Sequence, residues 1–257
     1  MTYLWLKTLI SSTLFAAGLA AGTSQAAEIL LVQDEAYPPY MSKDGSDATG
    51  IWADVVKEAG RRMDGMTFKI EAVPWSRAVG LVEQGRAQGL VGTYYKPEAR
   101  PWIAAYSEPA MTEQVSVYCH PGVAKADWTY PDDYKGLTFG NNTGFQTPGA
   151  KFFEMVEAGD IKLQEAPSTE QNLKKLSAGR IDCYVQERLS AEIAINSGGI
   201  DNVERVTDAS SEQSFIGYTD TWTGPEAEAF IAAMDQAIKD MKADGTIDKI
   251  VKKYVGG

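Results

Sequence analysis

The sequence is short of the residues from which many catalytic and metal sites are built. Its 257 residues hold one histidine, His120, and two cysteines, Cys119 and Cys183. Zinc sites draw about four Cys, His or acidic ligands at close spacing, and nothing here has that pattern. No serine or cysteine partner set surrounds His120, which precedes Pro121-Gly122 and reads as a turn residue. No metal ion and no cofactor is expected. Basic charge is also scarce, with 24 Lys and Arg against 35 Asp and Glu, for a net charge of −11. Such a chain is repelled by nucleic acid and by anionic membrane, so neither is an expected partner. Low-complexity stretches and internal repeats are missing. Beyond the first 27 residues no run reaches the ~20 apolar residues a membrane helix needs.

The start of the chain has a different character. Residues 1–27, MTYLWLKTLISSTLFAAGLAAGTSQAA, carry Lys7 as their only charge. An apolar run from Leu9 to Ala20 follows, then small residues up to Ala27. This layout predicts a secretory signal cleaved near Ala26 or Ala27, without a cysteine there for a lipid anchor. The mature chain is then exported and soluble, and long enough for one large domain or two lobes. In an oxidising compartment Cys119 and Cys183 either pair or remain as two buried thiols.

Past the leader, strand and helix patterns alternate, which argues for α/β sheets. Glu28–Gln33 (EILLVQ) is a buried strand that stops at Tyr37-Pro38-Pro39-Tyr40, because Pro38-Pro39 cannot continue it. Val55, Val56 and Ala59 share one face of a helix after Gly50. Met66–Val73 alternates as a strand, and Pro74-Trp75 opens the next helix. Further strands are expected at Leu137–Gly140, Ile161–Ala166, Ile181–Arg188, Val203–Val206 and Phe215–Thr219. Val115–Cys119 and Phe215–Thr219 read as two crossings between lobes.

The most informative stretch is 89–118, GLVGTYYKPEARPWIAAYSEPAMTEQVSVY. A short apolar strand delivers Thr93 at its carboxyl end, and a polar turn then delivers Arg100. Open α/β sheets bind ligands outside the carboxyl ends of their strands. An arginine there offers a planar fork that matches a carboxylate, or, taken alone, is an ordinary solvated loop residue. Further on, Asn141–Thr147 turns into a helix start, where free N–H groups suit an anion or the asparagines simply cap.

With Thr93, Tyr95 and Arg100 placed before Tyr106-Ser107-Glu108-Pro109, the stretch resembles the periplasmic solute-binding proteins of family 3, which serve polar amino-acid ABC importers. The resemblance runs through nearly the whole mature chain. It implies a type II periplasmic binding fold, with two lobes that are each a mostly parallel sheet flanked by helices, joined by two crossing strands. The lobes would be residues 28–115 with 217–257, and residues 116–216. It implies a monomer that captures a small zwitterion, an amino acid or close analogue, and delivers it to an inner-membrane ABC permease.

The resemblance also implies roles for residues. Thr93, Tyr95 and Arg100 would clamp the α-carboxylate, with Thr143, Phe145 and Gln146 contributing from the second lobe. Glu187, where the family usually has Asp, would hold the ammonium, or else it is a first-turn helix acid. Tyr37 and Trp75 would wall the aliphatic part, although Trp75 also fits as a buried anchor. Asp34 either meets a cationic side chain or faces water. Trp52 stands where the family has an acid. Two rivals share the fold. One is a cyclohexadienyl-dehydratase-like enzyme using Glu187 as general acid, and the other is a sensory ligand binder.

Overall fold

The computed structural model describes Met1 and residues 28–255. The expected signal peptide, Met1 apart, lies outside the described residues. The chain runs β1 (Ile29–Asp34), β2 (Ala36–Tyr37), β3 (Met41–Asp44), β4 (Asp47–Thr49), α1 (Ile51–Arg62), β5 (Phe68–Val73), α2 (Trp75–Glu83), β6 (Gly89–Tyr94), β7 (Ile103–Tyr106) and β8 (Met111–Cys119). It continues through β9 (Thr138–Asn142), α3 (Ala150–Glu157), β10 (Lys162–Ala166), α4 (Thr169–Ser177), β11 (Cys183–Glu187), α5 (Arg188–Gly198), β12 (Glu204–Thr219), α6 (Pro225–Ala243) and α7 (Thr246–Val255). Among the described residues no helix is long and apolar enough to cross a membrane.

Two parallel half-sheets flank an antiparallel centre. The strand order is β10-β9-β11-β8-β12-β6-β1-β5, with β7 on β12, and β2-β3-β4 form a small sheet of their own. Strand β1 lies parallel to β5 and β6, and β9 lies parallel to β10 and β11. The strands β8 and β12 pair antiparallel and carry the chain between the halves. Parallel strands buried on both faces read as continuous apolar runs, which is why ILLV in β1 and GLV in β6 were legible.

The expected strands at 203–206 and 215–219 are the two ends of one strand, β12, which is 16 residues long. Its middle, TDASSEQS, has few strand-favouring residues. It pairs with β8 from Glu204 to Ser214, with bulges on the way, before turning to β6 and β7. Ladder hydrogen bonds override the weak local preference.

Each half has its own core. One gathers the apolar faces of α1, α2, α6 and α7 over β1 and β6, around Leu31, Trp52, Phe230 and Met234. The other has two clusters, one around Phe139, Phe152 and Val117, and one around Leu173, Leu176 and Tyr184. Cys119 and Cys183 are register partners across β8 and β11 and form a disulfide.

The local fold after β1 depends on Gly50. With φ at +101°, an added Cβ would stand 2.7 Å from the Tyr40 carbonyl oxygen. That close approach lets the first N–H groups of α1 reach loop carbonyls: Ile51 N donates to Pro39 O and Trp52 N to Tyr40 O. The Tyr-Pro-Pro-Tyr turn is thereby fixed to the helix, and Tyr37 is held at the edge of the cleft.

Candidate functional site

Strand β6 is buried almost throughout and ends where the chain turns across residues 96–100, closed by Arg100 N donating to Lys96 O. The turn folds Arg100 back over the strand end. Its guanidinium Nη1 donates to Thr93 Oγ1 at 2.7 Å and lies 5.3 Å from the centre of the Trp75 ring. Arg100 is 4% exposed, yet among the described residues it forms no ion pair. Burial lowers its pKa to about 10, so it remains a cation at neutral pH. A buried cation without a counterion is costly.

The cavity it faces spans about 320 Å³ of space, part of it open to solvent. Six of the expected site residues line it: Tyr37, Trp75, Thr93, Arg100, Phe145 and Gln146. The second half of the molecule enters through the turn after β9. Asn141 Nδ2 donates to Phe145 O, and Glu165 Oε1 accepts from Gly144 N, so this turn is fixed by its own polar groups. Phe145 then meets Tyr37 edge-on at 5.3 Å and Trp75 at 5.4 Å. Trp75 Nε1 donates to Gly144 O at 3.2 Å, a hydrogen bond from one half to the other. Trp75 is therefore both wall and latch. Gly92 has φ at +77°, where a side chain is strained, and an added Cβ would also press on the Met41 thioether.

Four expected residues do not line the cavity. Asp34 is buried, accepts from Ala36 N through Oδ1, and has its pKa raised to about 6 by burial. Tyr95 is 60% exposed, with its ring 4.9 Å from that of Tyr106. Thr143 is half-buried and spends its N–H on Ala166 O. Glu187 is the N-cap of α5: Oε1 accepts from Leu189 N and Oε2 from Ser190 N. Burial still raises its pKa to about 7, against those N–H groups and the Tyr40 hydroxyl.

Sequence reasoning missed Tyr94 and Thr147 on the cavity wall, and Glu113 behind it. Glu113 is 2% exposed, and its Oε2 accepts from the Tyr94 hydroxyl at 2.7 Å and the Tyr37 hydroxyl at 3.4 Å. The Ser214 hydroxyl also bonds it, and accepts in turn from Trp52 Nε1. Trp52, which stands in place of an acid, thus supports another acid. Burial, with the nearby Glu187 carboxylate, pushes Glu113 up to about 8. The signal for it was available: Glu113 is in phase with Val115, Val117 and Cys119, the inward positions of β8. His120 follows β8 in a turn, its N–H bonded to Asp182 O. Among the described residues no group of three or more His, Cys, Asp or Glu could hold a metal ion.

The cavity thus has a cationic end at Arg100, beside Thr93 whose hydroxyl donates to Tyr94 O, and an acidic side behind Tyr94 and Tyr37. Comparison with known proteins places the chain in a family. Residues 29–257 match the family model for bacterial extracellular solute-binding proteins, family 3. The chain is 24% identical over 259 residues to PatH of Vibrio harveyi, provisionally named an amino-acid ABC transporter-binding protein, covering 98% of this chain and 97% of that one. A histidine kinase sensor domain with similarity to periplasmic binding proteins superposes with a TM-score of 0.74 at 19% identity, covering 89% of this chain and 96% of that one. An ancestral arginine-binding protein bound to arginine superposes with a TM-score of 0.73 at 18% identity, covering 88% and 97%. These solved structures establish a shared fold, the two-lobed type II periplasmic binding fold.

Proposed function

The chain belongs to the bacterial extracellular solute-binding proteins of family 3, and from that premise we propose that it captures an amino acid or close analogue outside the cytoplasm and hands it to an ABC importer. The observation that carries this reading is Arg100, a buried and unpaired cation on the wall of the cavity. A ligand carboxylate supplies the counterion the protein withholds, with Thr93 beside it. Tyr37, Trp75 and Phe145 cover the aliphatic part, and Glu187, near Tyr40, receives the ammonium. The recognised relative from Vibrio harveyi, named for amino-acid ABC transport, supports the same role.

The lobes in this reading are residues 28–115 with 217–257, and 116–216, acting as one monomer after removal of residues 1–27 and export to the periplasm. Separate cores in the two halves support that division. A ligand touching both lobes favours the closed state, since only differential contact shifts such an equilibrium. Isothermal titration with a panel of L-amino acids, preceded by native mass spectrometry for retained ligand, tests the proposal. Micromolar or tighter binding of at least one member is expected. If no amino acid binds, or if the protein converts a cyclohexadienyl acid and Glu187→Gln abolishes turnover at unchanged affinity, the carrier role falls.

A further inference from the structure

The main sheet ends in β10 on one side and in β5 on the other. Among the described residues, the backbone of β5 from Phe68 to Ala72 bonds to β1 and to no other strand or loop. A strand paired on one side only points every second N–H and C=O outward, a template for another chain. Proline and bulges are common guards of such an edge, and β5, FKIEAV, has neither. Its two charged residues, Lys69 and Glu71, pair with each other at 2.6 Å and so leave little net charge to turn a strand away. A solvent-filled groove runs along this edge, bounded by the β3–β4 hairpin, by Lys57 of α1 and by Arg77 of α2. Lys43 in its wall is paired with Glu35 at 3.6 Å. That leaves Lys57 and Arg77, both exposed and without an ion pair among the described residues, against Asp47 as the lining acid with no cation of its own. Lys57 is held in place by donating to Ala48 O. A cationic surplus at one place on a chain of net charge −11 gathers anionic partners there and turns basic ones away. The groove and the ligand cavity share no lining residue.

We propose that the outer edge of β5 is a docking site for a protein partner that presents an extended acidic segment, which adds to the sheet as a further strand with its carboxylates toward Lys57 and Arg77. Backbone pairing supplies the affinity, and the two cations choose the partner. Six residues at about 3.3 Å each give the docked segment a length of roughly 20 Å. A second copy of this chain is the poorer occupant, since it brings the same two cations to the same edge. The proposal does not rest on the amino-acid reading and does not fall with it.

Fluorescence anisotropy of a labelled octapeptide of alternating Glu and Thr, titrated with the whole mature protein, tests it. Saturable binding is expected at low ionic strength. Replacing the glutamates of the peptide by lysine should weaken it about tenfold or more, and so should Lys57→Glu combined with Arg77→Glu. A third peptide keeps the glutamates but has alternate backbone nitrogens methylated, which removes the hydrogen bonds a strand would make. It should also bind about tenfold or more weakly, a loss that plain charge attraction does not give.

Absence of saturable binding by the Glu-Thr peptide overturns the docking site. Equal binding of the methylated peptide overturns it too, since the edge of β5 then takes no part. Self-association of the protein in sedimentation that the peptide does not displace assigns the edge to a second copy and overturns the acidic partner. Should the double variant fail to fold, Arg77→Glu alone, on an exposed side chain, decides: an unchanged affinity overturns the proposal, and a loss of about threefold or more supports it.

Discussion

The two ends of the cavity bury charge in opposite ways. Arg100, on the wall at one end, is 4% exposed, and Glu113, behind the two tyrosines of the acidic side, is 2% exposed. Neither has a counterion among the described residues. Burial lowers the arginine only to about 10, because a guanidinium holds its proton too tightly to be neutralised. The same burial lifts Glu113 to about 8, so near neutrality it takes up a proton. One end is thus an obligate cation, eased by Thr93 and the face of Trp75. The other is an acid whose charge depends on what else is present. The difference teaches that the same burial leaves the arginine charged across the neutral range and leaves the charge of the acid open to its surroundings.

The largest expected effect falls on the arginine end. Arg100→Ala should weaken binding of whichever amino acid the wild type holds by about 2–5 kcal/mol, roughly 30- to 4,000-fold. The ligand-free melting temperature should stay within a few degrees, since an unpaired buried cation contributes little to stability. Calorimetry and thermal unfolding on the same sample decide it, and retained affinity would break the assignment of the cationic end.

Next comes the covalent frame of the acid end. The disulfide ties β8, which carries Glu113, to β11, which ends at Glu187. It closes a sequence separation of 64 residues, for which chain-entropy arguments give about 4 kcal/mol. Cys119→Ser with Cys183→Ser should lower the melting temperature by about 10 °C. Thiol titration of denatured, unreduced wild type should find no free cysteine.

The pH dependence of stability then separates the ends directly. Glu113 near 8, Glu187 near 7 and Asp34 near 6 all lie above their unfolded values. The folded state therefore holds more protons than the unfolded one between about pH 4 and pH 8. The stability linked to these protons is complete below that window and is lost as pH rises through it. Thermal unfolding of ligand-free protein should show a melting temperature falling from about pH 5 to pH 9, with a shallower fall in Glu113→Gln. Arg100 titrates near 10 and adds nothing in that range. A flat profile would mean that the acid end is not charged against its surroundings.

The smallest effect is on the latch. Trp75→Phe keeps an aromatic wall but loses the hydrogen bond to Gly144 O and part of the contact with Arg100. About 1 kcal/mol of affinity, roughly fivefold, should go with them. An unchanged affinity would show that the halves close without it.

Much of this was legible because it is local. The apolar runs of β1 and β6 and the Pro38-Pro39 stop each follow from a few neighbouring residues. The stretch carrying Thr93 and Arg100 was legible because both lie on one strand and its turn, seven residues apart. Strand β12 was not, because its polar middle becomes a strand only through its partner β8. Glu113 was passed over because it meets Tyr37, which is 76 residues away in sequence, and Ser214 on another strand.

The sequence by itself determined the α/β alternation, the lack of metal- and nucleophile-type residue sets, the acidic character and the short spacing of Thr93 and Arg100. Those are set by residue type and short spacing. Only the tertiary structure decided that Cys119 and Cys183 bond, that Trp75 reaches Gly144, and that Glu187 caps α5. It alone put Glu113 behind two tyrosines of the cavity wall. The physical reason is that desolvation and hydrogen-bond pairing belong to a residue's spatial neighbours, and strand order, not sequence distance, chooses those neighbours.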